Sequence, residues 1–142
     1  MYRDIPAAGP DVIDVRIDSP VDDYELLDFG AGRKLERFGQ YRLDRPESHA
    51  QGPRHQPDWH ADWTYVGGKS GAGHWQAARE GLEQRWTCVF DGRNVDCQLS
   101  KYGRIGVRPK DIACHRWMRQ RLEGCYDLEA INILNLFPGG GT

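Results

Sequence analysis

From residue 24 onward, apolar and polar positions alternate in short bursts separated by glycine or proline, the period-two pattern of half-buried strands. Tyr24-Glu25-Leu26-Leu27-Asp28-Phe29 reads as a strand that stops at Gly30-Ala31-Gly32. The alternating stretch 33–38 and the run 41–46, with Gly39 between them, extend it into a meander of short antiparallel strands. Residues 47–62 are polar, hold His49, His55 and His60, and read as a surface loop. A strand over Trp63-Thr64-Tyr65-Val66 follows, and Gly71-Ala72-Gly73 leads to His74-Trp75. The clearest hairpin is 85–90, turn Asp91-Gly92-Arg93, then 94–99, since Asp-Gly between β-rich runs is a strong turn signal. Arg104-Ile105-Gly106-Val107-Arg108 reads as a last short strand, closed by Pro109.

The period then changes. Cys114, Trp117, Met118, Leu122 and Cys125 recur at spacings of three and four, predicting a helix over about 110–123 with Trp117, Met118 and Leu122 on its apolar face. Pro109 before it, Asp111 in its first turn and Gly124 after it are suitable boundaries. The run 131–137, Ile-Asn-Ile-Leu-Asn-Leu-Phe, has the apolar composition of a strand buried on both faces. Ahead of residue 23, an acidic arm over 1–22 carries an alternation at 12–18 that suits an edge strand. The fold class predicted is α+β, with a small antiparallel β-rich domain over 23–109 and one helix and one strand over 110–142.

With 142 residues, the chain is long enough for one core, and its formal net charge of -2 argues against a strongly basic nucleic-acid binder. No apolar run is long enough to span a membrane, and the start lacks the apolar stretch of a secretory signal, so a cytoplasmic protein with no membrane partner is expected. Charge is nonetheless uneven: Lys101, Arg104, Arg108, Lys110, Arg116, Arg119 and Arg121 face only Asp111 between residues 101 and 121. Within that cluster Lys101, Arg104, Arg108 and Arg116 are candidate RNA contacts, a solvated helix face being the ordinary alternative. Trp59, Trp63, Trp75 and Trp86 suit base stacking or, more commonly, the core of a small β domain. Cys88, Cys97, Cys114 and Cys125 show no Cys-x-x-Cys spacing and are expected as free, buried or half-buried thiols. The histidines lack ligands at metal-binding spacing, so no metal site is expected.

An apolar strand opening into glycines is the way doubly wound folds begin a cofactor site, because glycine lets backbone N–H groups approach the ligand. Residues 131–141 have that form. The block from Asp23 to Pro46 resembles the opening of bacterial class I S-adenosylmethionine-dependent methyltransferases, relatives of the 23S ribosomal RNA 5-methylcytosine enzymes. The end, Ile133 to Thr142, resembles their first cofactor motif, and Arg108-Pro109 followed by Trp117-Met118 occupies the place of a third block. Residues 47–84 match only loosely. Pro138 replaces an expected Ala-Tyr-Thr, and Arg108, Lys110 and Asp111 stand where the family prefers Phe, Glu and Gln.

The resemblance implies a substrate-side β domain over 23–109 and the start of a Rossmann-like methyltransferase domain over 110–142, truncated at its first cofactor motif. S-adenosylmethionine is the cofactor it implies for the full-length family, with Asn135, Phe137, Gly139, Gly140 and Gly141 as the surviving part of its site. Catalytic residues of the family lie downstream, so none is assigned, and this chain alone is expected neither to bind the cofactor nor to transfer methyl groups. The helix face of Trp117, Met118 and Leu122 and the strand after it lack their full Rossmann partners, so part of that face is expected to be exposed, and self-association through the incomplete Rossmann portion is a further expectation. The competing reading is a stand-alone β-rich module that binds RNA or a protein.

Overall fold

Paired left-handed residues set the sharpest strand boundaries. Ala31 and Gly32 take φ of 53° and 74°, and Asp91 and Gly92 take 51° and 73°. Two such residues in succession give a turn whose twist matches antiparallel strands. The first joins β1 (Tyr24–Gly30) to β2 (Arg33–Phe38), and the second joins β6 (Arg85–Phe90) to β7 (Arg93–Gln98). That second turn is one residue tighter than the sequence suggests, because Arg93 already pairs with Phe90. The computed structural model describes residues 22–67, 71–123, 132 and 134. The strands expected over 12–18 and 131–137, Cys125 and the glycine run therefore lie outside the described residues.

A five-stranded sheet runs in the order β1-β2-β3-β4-β5, with β3 at Tyr41–Pro46, β4 at Trp63–Val66 and β5 at His74–Ala77. It is not the all-antiparallel meander that alternation predicts. Leu43 pairs with Trp63 and Asp44 with Thr64 in parallel. A parallel neighbour needs a crossover of a dozen or more residues, and the polar segment 47–62 supplies it. A register shift between Leu26 and Asp28 bulges the edge strand β1.

One face of this sheet meets the β6–β7 hairpin. Tyr24, Phe38, Tyr41, Leu43 and Trp63 pack with Trp86, Cys88, Phe90, Cys97, Leu99, Ile105, Val107 and Ile112 in a single buried cluster. Tyr24 and Phe38 rings lie 5.0 Å apart, and Tyr41 meets the Trp86 ring edge-on at 5.0 Å. The indole N–H of Trp86 donates to the Phe38 carbonyl at 3.1 Å, which satisfies its polar end inside the core. Trp63 and Trp86 are thus core residues. Burial of Tyr and Trp side chains of this size dominates the stabilisation of so small a β domain.

Two expectations about the following segment need correction. Residues 104–108 form no strand, although Ile105 and Val107 are buried while Arg104, Gly106 and Arg108 are exposed. The alternation is real, but Gly106 at φ 85° turns the backbone away, and only Gln98 N–H to Ile105 O at 3.0 Å links it to β7. Helix α1 spans Pro109–Glu123 as the periodicity requires and buries Pro109 and Ile112; its apolar face is left partly exposed at Trp117, as expected, and the correction falls on Cys114. Cys114 is exposed and Trp117 is 39% exposed. Arg116 and Arg119 converge on Asp91 at 3.0 and 2.9 Å and turn the helix's basic side toward the hairpin turn. Residues 22–123 are β-rich with one helix, an α+β arrangement. Among the described residues no helix is long and apolar enough to cross a membrane.

Candidate nucleic-acid interface

The four basic candidates fall into two kinds. Arg108 is paired with Asp111 at 2.7 Å, and Arg116 with Asp91, so half of the group is already neutralised within the protein. The Arg116 guanidinium, with Arg119 beside it, outweighs burial and holds the Asp91 carboxyl below its usual range. Lys101 and Arg104 are different. Both are exposed and sit on one tight turn, Ser100 to Arg104.

That turn is closed by Ser100 N–H to Arg104 O at 2.9 Å and Gly103 N–H to Ser100 O at 3.0 Å. The Ser100 hydroxyl accepts the N–H of Arg104 at 3.0 Å and of Tyr102 at 3.4 Å. The carbonyls point into the protein. Trp75 Nε1–H donates to Ser100 O at 2.8 Å, and Tyr65 O–H and Gly73 N–H donate to Lys101 O at 2.9 and 2.8 Å. Arg45 Nη1 donates to Gly103 O at 3.1 Å. Gly103 is required here: its φ is 72°, and a Cβ would meet the Tyr65 ring at 3.1 Å. The result is a rigid tip that displays Lys101, Tyr102 and Arg104. Tyr102 is 59% exposed, and the Lys101 ammonium lies 5.1 Å from its ring centroid. Sequence reading named the two cations and missed the tyrosine, although Lys-Tyr-Gly-Arg carries the signal.

Arg45 in turn depends on a buried carboxylate. Glu36 is 1% exposed; its Oε2 accepts Arg45 Nε and Nη2 at 2.9 and 2.6 Å. Its Oε1 accepts the Tyr24 hydroxyl at 3.1 Å and faces Lys34 Nζ at 3.2 Å. Burial, then the charge and hydrogen bond of Glu36, push the Tyr24 phenol well above its ordinary value.

A second buried carboxylate shapes the crossover. Asp28 Oδ1 accepts Phe29 N–H at 2.8 Å and His55 N–H at 3.3 Å and faces His55 Nδ1 at 2.9 Å. Its Oδ2 accepts Gln56 N–H at 2.9 Å and Trp59 Nε1–H at 2.8 Å. Burial raises its pKa, but the donors from Gln56, Trp59, His55 and Phe29 prevail and hold the carboxyl far below the usual range. The Arg54 guanidinium stacks 3.9 Å from the Trp59 ring centroid. The loop lies at the surface, as expected, and is anchored to β1 through His55, Gln56 and Trp59.

Cys88 and Cys97 are fully buried. Their mutual hydrogen bond and burial push the Cys97 thiol up, the opposite of what a nucleophile needs; the same hydrogen bond lowers Cys88, but that thiol has no exposed surface. Cys114, expected at least half-buried, lies in solvent. Among the described residues, no group of three or more His, Cys, Asp or Glu side chains could hold a metal ion. Asn135, Phe137, Gly139, Gly140 and Gly141 lie outside the described residues.

No protein-family model and no curated protein matches the chain. Among solved structures it is similar to the crystal structure of the SAM-dependent methyltransferase from Agrobacterium tumefaciens, with 31% identity and a TM-score of 0.73. The match covers 84% of this chain and 38% of that one, so the chain spans well under half of its relative's length. Over most of its own length, the chain is related to a SAM-dependent methyltransferase.

Proposed function

We propose that this chain is the substrate-side part of an S-adenosylmethionine-dependent methyltransferase whose methyl acceptor is RNA, in the lineage of the 23S ribosomal RNA 5-methylcytosine enzymes. The similarity to the Agrobacterium enzyme, at 31% identity over 84% of the chain, carries the methyltransferase reading. The RNA reading draws on the exposed Lys101 and Arg104, which no carboxylate among the described residues neutralises and which offer phosphate contacts that Arg108 and Arg116 have already spent on carboxylates. The β portion holds the acceptor, and the chain by itself transfers no methyl group.

The experiment is a pair of measurements on purified protein. Incubation with labelled S-adenosylmethionine and ribosomal RNA is expected to yield no labelled product, and calorimetry at micromolar protein no cofactor binding. RNA retention on a filter at low salt is expected to be positive. Methyl transfer by this chain, or tight cofactor binding, would overturn the division of labour; absence of RNA binding would overturn the acceptor.

A stand-alone binding module is the second reading. It is favoured by the core, which closes between Tyr24 and Ile112. Fusion to the remainder of the Agrobacterium enzyme separates the two, since a methyltransferase part should restore transfer to RNA and an independent module should not.

A further inference from the structure

We propose that the Ser100–Arg104 turn is a single-stranded nucleotide site, with the Tyr102 ring as a stacking platform for one base and Lys101 and Arg104 as contacts to its flanking phosphates. It deepens the RNA reading above and rests on it for the choice of nucleic acid.

Three observations converge. The first is the pinning of the tip. The carbonyls of Ser100, Lys101 and Gly103 accept donors from Trp75, Tyr65, Gly73 and Arg45, drawn from β5, β4, the segment before β5, and β3. A turn that needed only to connect β7 to the next segment would not require so many anchors. With those carbonyls occupied and facing inward, few backbone acceptors remain to repel a phosphate, and the displayed side chains are presented without a further ordering cost in the backbone.

The second observation is the exposure of Tyr102. A tyrosine 59% exposed spends apolar area in water, and among the described residues neither its ring nor its hydroxyl has a partner besides the Lys101 ammonium at 5.1 Å. That cation lies 5.1 Å from the ring centroid, and more than half of the residue's surface stays in water. Nucleobases stack on such rings, and only unpaired bases can, because in a duplex they are stacked on each other.

The third is charge. Lys101 and Arg104 flank Tyr102 in sequence, and among the described residues neither is engaged by a carboxylate, in contrast to Arg108, Arg116 and Arg119 nearby. Cations next to an exposed aromatic residue on one short turn match the alternating phosphates and bases of a single strand. An acidic peptide would use the same cations but would have no need of the ring face, so Tyr102 distinguishes the two partners.

The test is fluorescence anisotropy with the full chain and a labelled oligouridylate, with an oligothymidylate, an RNA duplex and polyglutamate as competitors. Wild type should prefer the single strands over the duplex. Y102A should weaken binding about tenfold, and Y102F should stay within about twofold of wild type, because stacking needs the ring and not the hydroxyl. K101A and R104A should each reduce the slope of log affinity against log salt by about 0.7. Tyr102 lies outside the core, so these variants keep the fold, which far-ultraviolet circular dichroism checks. Unchanged affinity in Y102A alongside intact RNA binding would overturn the stacking site and leave the RNA reading standing. Equal or better competition by polyglutamate, with Y102A silent, would replace it with an acidic peptide site. Binding to oligothymidylate but not oligouridylate would keep the stacking site and overturn the RNA acceptor, and no binding to either strand would overturn both.

Discussion

Asp28 and Glu36 stand on neighbouring strands, are equally hidden from water, and are satisfied by opposite means. Asp28 is held without Lys or Arg: three backbone N–H groups and an indole donate to it, and an imidazole faces it. Glu36 is held by the Arg45 fork, Lys34 and a phenol. A carboxylate surrounded by N–H groups organises whatever segment supplies them, here the crossover from His55 to Trp59. One neutralised by arginine hands its order on, because the same Arg45 reaches Gly103 and fixes the 100–104 turn. The first arrangement shapes a loop. The second connects the sheet interior to a display tip across 58 residues of chain.

The largest effect should come from Glu36→Ala. Removing one member of a buried ion pair leaves Arg45 uncompensated and costs about 3–5 kcal/mol, read from the urea midpoint. Any RNA binding should fall with it, because the turn loses its Arg45 anchor. If Asp28→Ala proved the more damaging to that binding, the assignment of separate tasks to the two carboxylates would be broken.

Asp28→Asn should come next, and its signature is in pH. The folded carboxyl titrates far below its unfolded value of about 3.9, so its stabilisation is present above that pH and lost as acid protonates the native state. The variant should be less stable than wild type at neutral pH and should fall less steeply between pH 4 and 2, with Glu47 and Asp91 contributing the residual slope. The amide protons of His55 and Gln56 should exchange on the order of tenfold faster, while those of β2 and β3 should not. Faster exchange across the whole sheet would show that Asp28 is no local organiser.

Tyr24→Phe sharpens the Glu36 side. It removes one hydrogen bond to a carboxylate that keeps its cations, at a cost of about 1–2 kcal/mol. Because the folded phenol titrates above its unfolded value of about 10, its contribution is intact below that pH and is lost as alkali ionises it. The variant should therefore lose part of the alkaline fall in stability that wild type shows. Smallest of all should be Arg119→Ala, an exposed partner of Asp91, at under about 1 kcal/mol in thermal melts.

Much of the scaffold was legible in the chain. Alternation and glycine positions locate β1, β2, β3, β4 and the β6–β7 hairpin, because each is a local decision between neighbouring residues. The helix was legible for the same reason. Which of its residues dock was not, since Pro109 and Ile112 enter the core while Arg116 and Arg119 reach Asp91, and both are tertiary facts. The parallel joint of β3 and β4 was equally hidden, because pairing direction follows from where a long crossover returns. Lys101 and Arg104 could be read from charge alone. What separates them from Arg108 and Arg116 is the position of Asp111 and Asp91, and for Asp91 that is a tertiary fact.

The parallel joint also bears on how the molecule assembles. β1–β2, β2–β3 and β6–β7 are joined by turns of two residues and can zip within microseconds. The β3–β4 pairing has to wait until residues 47–62 have swept round and closed, and closure of that loop brings little reward until His55, Gln56 and Trp59 find Asp28. Refolding should accordingly show an early meander and hairpin, with docking of β4 and β5 as the slow step. Trp63, on the late strand and deep in the core, is placed to report it.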